Sequence, residues 1–303
     1  MRRWFLVACL ALTVGCLQPA SRANATGLGA ETDLGEGWEL SFTPFAWILF
    51  IEGKQTLGSS SVDVDTNLFD IIDESDELYA WMSYQELRKG RLGIYGDMFW
   101  TKIKIKESAF RSINPIAGLN VSVVADAELW FDLAVLEPGA ALEVFRWSSP
   151  GEQNDPAAFA PTTSVDVIGG ARYWYMRPDL DLNVTAAINL PALGLTAVRA
   201  RRIARSKTID WWDPLIGLRV RHAPAPGHEL VVKGDIGGFG VGSDFTWQAI
   251  AGYSFQTQLL GLEMTNFVGY RALHIDYEQG SGNRTIGFDL LFHGPMVGST
   301  FRW

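Results

Sequence analysis

Four histidines, His222, His228, His274 and His293, are the histidine bases this sequence offers for catalysis. Ester or lipid hydrolysis needs such a base beside a hydroxyl nucleophile and an orienting acid. Ser243-Asp244 and Ser281-Gly282 fall near turns, but there is no Gly-x-Ser-x-Gly elbow. His222 and His228 flank a turn, His274 lies in a segment of ambiguous phase, and His293 falls on the inferred inner face. Scattered structural histidines are the simpler reading, and a lipid or ester hydrolase is the alternative. Cys9 and Cys16 are the two cysteines, so the rest of the chain holds neither a thiolate zinc site nor a disulfide framework. The glycine-rich run 234–242 (GDIGGFGVG) leads into another strand, not into a helix N-terminus that would hold phosphate. Asp63, Asp65, Asp70, Asp73, Glu74 and Asp76 are dense, but their spacing lacks the ordered loop and terminal glutamate of a calcium-binding hand. No cofactor or metal is implied.

A second set of residues lies on the polar side of alternating segments: Asp97, Arg172, Asp213, Arg219, Arg221, Lys233, Asp235 and Asp289. Two readings stay open. Opposite charges on one face form a ladder that cross-links an interior, because an unpaired buried charge is costly. The same ladder also lines a narrow path for small solutes.

Such charges need strands to position them. Period-two alternation recurs over stretches of nine to fifteen residues, about twelve in number, with ten to fourteen possible. The segments are 38–52, 79–88, 91–105, 121–134, 163–176, 179–189, 211–223, 228–238, 243–257, 259–275, 282–293 and 295–303. In 212–221, Trp212, Ile216, Leu218 and Val220 oppose Asp213, Gly217, Arg219 and Arg221. In 285–293, Ile286, Phe288, Leu290 and Phe292 are read as outward, opposing Asp289 and His293. Bulky aromatics near strand ends match the girdles of a transmembrane antiparallel β-barrel, so the fold class is all-β. An even strand number puts both termini on the periplasmic side.

Arg88-Lys89-Gly90 and Arg177-Pro178 read as tight turns. Longer insertions fall at 53–78, 135–162 and 190–210; the first is expected outside the cell and the other two on the periplasmic side. Residues 60–74 fit a lumen plug, with Asn67 capping a helical turn. Segment 190–210, with Arg199, Arg201, Arg202, Arg205 and Lys207, reads as a solvated short helix.

Composition agrees. The chain has 303 residues, 12 Trp and 17 Phe, and a net charge of -9, which speaks against a nucleic-acid binder. Residues 1–25 read as a signal peptide: Arg2 and Arg3, an apolar run, then Ala23-Asn24-Ala25. Residues 26–37 form a short N-terminal segment and 38–303 the barrel. Cys16 follows an imperfect lipobox, with Thr13 where a large apolar residue belongs. Cleavage after Ala25 removes three arginines and leaves 278 residues with a net charge of -12.

Five pieces carry a resemblance: 169–174 (GGARYW), 212–219 (WDPLIGLR), 234–239 (GDIGGF), 269–271 (GYR) and the ending 294–303. They resemble a family of poorly characterised, porin-like outer-membrane β-barrel proteins of Gram-negative proteobacteria. The resemblance implies a cell-outer-membrane location among outer-membrane lipids and lipopolysaccharide. Phe301 and Trp303 match the C-terminal signal read by the outer-membrane assembly machinery, with Trp303 replacing the commoner phenylalanine. It implies no chemistry, and the oligomeric state stays open.

The membrane-extracted protein is expected to start at Thr26 without lipid. Intact mass spectrometry checks this, and a chain starting at an acylated Cys16 contradicts it.

Overall fold

The computed structural model describes residues 37–57, 60–116, 119–149, 159–190, 195–206, 208–259, 262–281 and 285–303. The expected signal peptide and nearly all of the N-terminal segment lie outside the described residues.

Among the described residues, thirteen strands and one short helix follow one another. They are β1 (Glu39–Trp47), β2 (Phe50–Leu57), β3 (Ser60–Asn67), α1 (Leu68–Glu74), β4 (Glu77–Lys89), β5 (Leu92–Ile116) and β6 (Leu119–Ser148). Then come β7 (Thr162–Leu190), β8 (Leu195–Ser206), β9 (Ile209–Ala225), β10 (His228–Gly237), β11 (Phe245–Leu259), β12 (Leu262–Gln279) and β13 (Ile286–Arg302). All pairings are antiparallel, and β1 pairs with β13, which closes the sheet. The closed ring runs β1-β4-β5-β6-β7-β9-β10-β11-β12-β13. β2 continues β1 along the same edge of β13. Two further strands, β3 and β8, extend the wall as hairpin partners of β2 and β7. The barrel of about twelve strands therefore has ten in its ring and two beyond it. Closure leaves the ring without free edges, which a bilayer requires.

The first and last ring strands meet: Leu40 and Trp303 exchange two backbone hydrogen bonds of 3.0 Å. Ten antiparallel ring strands bring the start of β1 and the end of β13 to one end. We call this the inner end and the opposite one the outer end.

Two expected interruptions, the Arg177-Pro178 turn and the break between segments 282–293 and 295–303, are absent, for physical reasons. Arg177-Pro178 lies inside β7, where Pro178 faces Phe131 of β6. Gly294-Pro295 lies inside β13, whose register runs unbroken across the step from β1 to β2, Trp47 pairing Met296 and Phe50 pairing His293. Gly294 has φ 150°, and a Cβ there would collide with the Ile48 carbonyl. Segments 163–176 and 179–189 therefore join into one strand, as do 282–293 and 295–303. Fusing the first two moves the 190–210 insertion to the outer end. There it forms β8 in a hairpin with β7, not a short helix on the periplasmic side. Residues 135–148 belong to β6, so the inner connection there runs only from 149 to 161. Segment 60–74 supplies β3 and α1 at the outer rim. Asn67 caps α1 by accepting from the Phe69 and Asp70 N–H groups at 2.9 and 3.2 Å, and no α1 residue is buried.

The outward face is an apolar belt. Ile216, Leu218, Val220, Leu230, Val232 and Ile236 are all exposed, alternating with buried Arg219, Lys233 and Asp235. Trp212 and Tyr173 (rings 4.8 Å apart) mark its outer border; Phe145, Trp147 and Trp303 mark the inner one. The eleven residues from Trp212 to His222, tilted as barrel strands are, span about 25 Å, the height of an outer-membrane apolar band.

Ile216→Arg and Leu218→Arg are expected to cost about 2–4 kcal/mol each in refolding into lipid vesicles if they lie at mid-bilayer. Gly217→Arg is expected to be at least as damaging for a different reason: a side chain there meets the Gly234 carbonyl and Asp235. Unimpaired refolding of the outward variants contradicts the belt.

Candidate functional site: the filled lumen

The inward faces form three layers. Nearest the inner end is a group of seven charges. Arg219 of β9 reaches across to Glu86 of β4 (2.6 Å) and also pairs with Asp166 of β7 (2.7 Å). Arg88 pairs with Glu86 (3.0 Å) and Asp166 (3.3 Å). Arg221 lies 3.4 Å from both Glu143 and Asp166, and Arg146 pairs with Glu143 at 2.7 Å. Tyr84 donates to Glu86 at 2.6 Å. β4 and β9 are well separated around the ring, so Arg219 is a strut through the interior.

The second layer is centred on Arg172. Its Nη2 lies 2.6 Å from Glu137 of β6 and 2.7 Å from Asp235 of β10. Lys233 also pairs with Glu137, and Gln248 donates to Asp235 at 3.1 Å. Arg172 has 0% exposure and Glu137 1%. Gly139 permits this packing, because a Cβ there would meet the Tyr95 ring at 2.5 Å. Beside this layer, Arg271 of β12 pairs with Asp97 of β5 at 3.2 Å and lies over the Trp47 ring, 5.0 Å from its centroid.

The third layer, toward the outer end, is apolar. Trp47, Phe99, Leu133, Trp174, Trp211, Leu273, Ile275, Tyr277, Phe288 and Phe292 belong to one buried cluster. Trp211 stacks on Tyr277 at 3.9 Å and on Trp174 at 5.9 Å. The loop between β10 and β11 closes over its edge. Ser243 of that loop is fully buried, and its N–H and hydroxyl both donate to Asp213 at 2.7 Å. Trp211 Nε1 donates to Ser243 Oγ at 2.8 Å.

Of the eight charges expected in the ladder, Asp97, Arg172, Arg219, Arg221, Lys233 and Asp235 face the lumen in ion pairs. Asp213 faces the lumen too, but its contacts are neutral donors, not a cation. Asp289 is corrected: it is exposed and lies 3.0 Å from His274. Its strand has the opposite phase to the one expected, with Phe288, Leu290 and Phe292 buried. The reason is an inversion of polarity. Outside the belt water bathes the wall, so the polar side of the alternation turns outward. His293 is likewise outward, 3.5 Å from Glu52 and 2.6 Å from the Tyr270 hydroxyl.

Glu86, Arg88, Glu137, Glu143 and Arg271 were not legible as site residues. Residues 135–162 read as an insertion, which hid Glu137 and Glu143. Their even spacing from Leu133 and Ala141 was the available signal.

The remaining histidines do not assemble a hydrolytic site. His222 contacts Thr163 Oγ1 at 2.8 Å, and His228 contacts the Tyr253 hydroxyl. Neither set includes an orienting carboxylate. Among the described residues there is no cluster of three or more metal-ligating side chains.

No family model and no curated protein matches the chain. Solved structures match it faintly. The translocator domain of the autotransporter NalP from Neisseria meningitidis is 12% identical, with a TM-score of 0.30, over 88% of this chain and 89% of that one. Ail, the attachment invasion locus protein of Yersinia pestis, in complex with the heparin analogue sucrose octasulfate, is 9% identical, with a TM-score of 0.28, over 89% and 100%. A Pseudomonas aeruginosa FadL homologue is 9% identical, with a TM-score of 0.26, over 88% and 90%. Likeness this slight transfers no activity; the barrel rests on its own strand pairing.

Arg172→Met is expected to destabilise the barrel by about 3–5 kcal/mol, because it leaves Glu137 and Asp235 buried with one cation fewer. Arg172→Lys, which keeps the charge, is expected to lose less. Urea unfolding from lipid vesicles measures both, and a neutral Arg172→Met contradicts the layer.

Proposed function

We propose that this chain is an outer-membrane β-barrel with a sealed lumen, a structural platform that carries strands β5 to β8 beyond the outer surface. Any solute path through it is narrow. The observation that supports this reading is the burial of the lumen itself. Arg172, Asp166, Asp213 and Trp174, drawn from the three layers, all have 0% exposure. Layers of ion pairs and stacked aromatic rings leave a permeant ion no hydrated route without breaking charge pairs.

The apolar belt is matched to outer-membrane lipids, with lipopolysaccharide forming the leaflet at the outer border. Phe301 and Trp303 stack at 6.4 Å, and Trp303 is exposed. Both stand where the outer-membrane assembly machinery engages a terminal strand. The inner end accordingly faces the periplasm.

Purified protein in planar bilayers is expected to give no steps, or steps far smaller than those of a sixteen-stranded porin. Large, stable steps from the unmodified protein contradict the sealed lumen.

A further inference from the structure

On the outward side of β5, Ile94, Met98 and Trp100 give way to Lys102, Lys104 and Lys106, alternating with the buried Tyr95, Asp97, Phe99 and Thr101. The change from apolar to basic is abrupt, and it falls where the belt ends. From Leu92 to Lys102 a tilted strand rises about 25 Å. The neighbouring strands match this row by row. Trp81, Trp100, Ala134 and Tyr175 are register partners across β4 to β7. One step further out, Tyr79, Lys102, Asp132 and Arg177 are partners in the same way. An aromatic row at the lipid edge is thus topped by a row with two cations and one carboxylate. Lys102 and Arg177 stand two strands apart, about 10 Å at the backbone.

These cations are positioned without being saturated. The Trp130 ring holds Lys104 Nζ at 4.1 Å and Lys102 Nζ at 4.9 Å from its centroid. Lys104 is fixed between Glu77 (3.3 Å) and Glu128 (3.1 Å). Lys102 lies 3.6 Å from Asp132, Lys106 3.9 Å from Glu128 and Arg177 3.1 Å from Asp179, and all three cationic side chains are more than a third exposed. Exposed pairs of this kind contribute little, so a stronger anion displaces the carboxylate at small cost. Over all these rows four cations meet four carboxylates, and the cationic excess lies in the row beside the lipid. The opposite flank of the outer end is acidic. There Asp210, Asp244, Asp276 and Asp289 are all exposed, with Lys54 and His274 beside Asp289.

We infer that the outer border of β4 to β7 is a docking site for a phosphorylated glycolipid of the surrounding leaflet. Its acyl chains lie on the belt, where Leu87, Ile94 and Leu142 are exposed. Its phosphates meet Lys102 and Arg177, which a disaccharide headgroup phosphorylated at both ends can reach together. Cations at the membrane surface attract anionic headgroups, and guanidinium binds phosphate in a bidentate fork. A ligand with acyl chains and phosphate on one molecule is the one that fits an apolar belt, an aromatic row and a basic row stacked in that order. The inference rests on the reading that the outer end lies in the lipopolysaccharide leaflet.

The test is native mass spectrometry of the full mature protein in detergent, titrated with diphosphoryl lipid A. Lipid A is expected to bind saturably, and lipid A stripped of both phosphates about tenfold more weakly. Lys102→Gln with Arg177→Gln is expected to weaken diphosphoryl lipid A about tenfold and to leave the dephosphorylated lipid unchanged. Asp132→Asn is expected to tighten diphosphoryl lipid A, a gain that a merely structural role does not produce. Heat-dependent electrophoretic migration verifies that each variant barrel is folded, and if the double variant does not fold, Lys102→Gln alone serves in its place. Equal binding of the two lipids, a glutamine variant as tight as the unmodified chain, or weaker binding by Asp132→Asn overturns the proposal. Full displacement of lipid A by inorganic phosphate assigns the cations to a soluble anion and equally overturns it. Orientation is read separately, by labelling Lys106→Cys on intact cells with a membrane-impermeant maleimide. Labelling without phosphate-dependent binding overturns the docking site alone, whereas absence of labelling refutes the outer-end reading and the docking site together.

Discussion

Burying a guanidinium in the middle of a barrel is costly unless its charge is met on the spot, and that constraint organises this molecule. Arg172 has no exposed surface and lies within 2.7 Å of two carboxylates, Glu137 and Asp235, contributed by different strands. Those carboxylates in turn hold Lys233 and Gln248. Every member therefore depends on a register that brings β6, β7 and β10 to the same height. The backbone ladders fix that register, and the charge layer penalises a slip, because a shift by one residue turns each side chain to the opposite face. Arg219 applies the same rule nearer the inner end, binding β9 to β4 through the interior.

Polarity changes sign along the barrel axis. Within the belt the outside is apolar and the inside charged. Beyond the aromatic border at Trp212 and Tyr173, the inside becomes apolar and the outside polar, as in a water-soluble sheet. The change follows the solvent. Lipid excludes outward charge below the border, and water favours it above. The aromatic layer of Trp174, Trp211 and Tyr277 sits at the changeover and joins the charged lumen to the outer sheet.

This inversion explains what was readable in the sequence. In β9, β10 and β11 the alternation gives both the strands and their faces, because those segments lie mostly within the belt. Arg219, Lys233 and Asp235 are where the spacing places them. In β13 the alternation is just as clear, but Asp289 and Phe288 exchange sides because that part of the strand lies outside the belt. The pairing of long-range partners was beyond reach: nothing local to Glu86 indicates that Arg219, 133 residues away, meets it. Pro178 reads as a turn and Pro295 as the start of a new segment, because proline usually punctuates strands. Here each sits within a strand longer than the bilayer is thick.

The central claim is that no continuous water path runs through the lumen. The barrel residues contain no cysteine, so a single introduced thiol is an unambiguous reporter. Thr246 has 0% exposure and sits 3.5 Å from Arg172, and Asp244, two residues away, is exposed at the outer mouth. In proteoliposomes, a charged methanethiosulfonate reagent is predicted to modify Asp244→Cys from outside and to leave Thr246→Cys unmodified from either side. Modification of Thr246→Cys at a rate comparable to Asp244→Cys would contradict the sealed lumen.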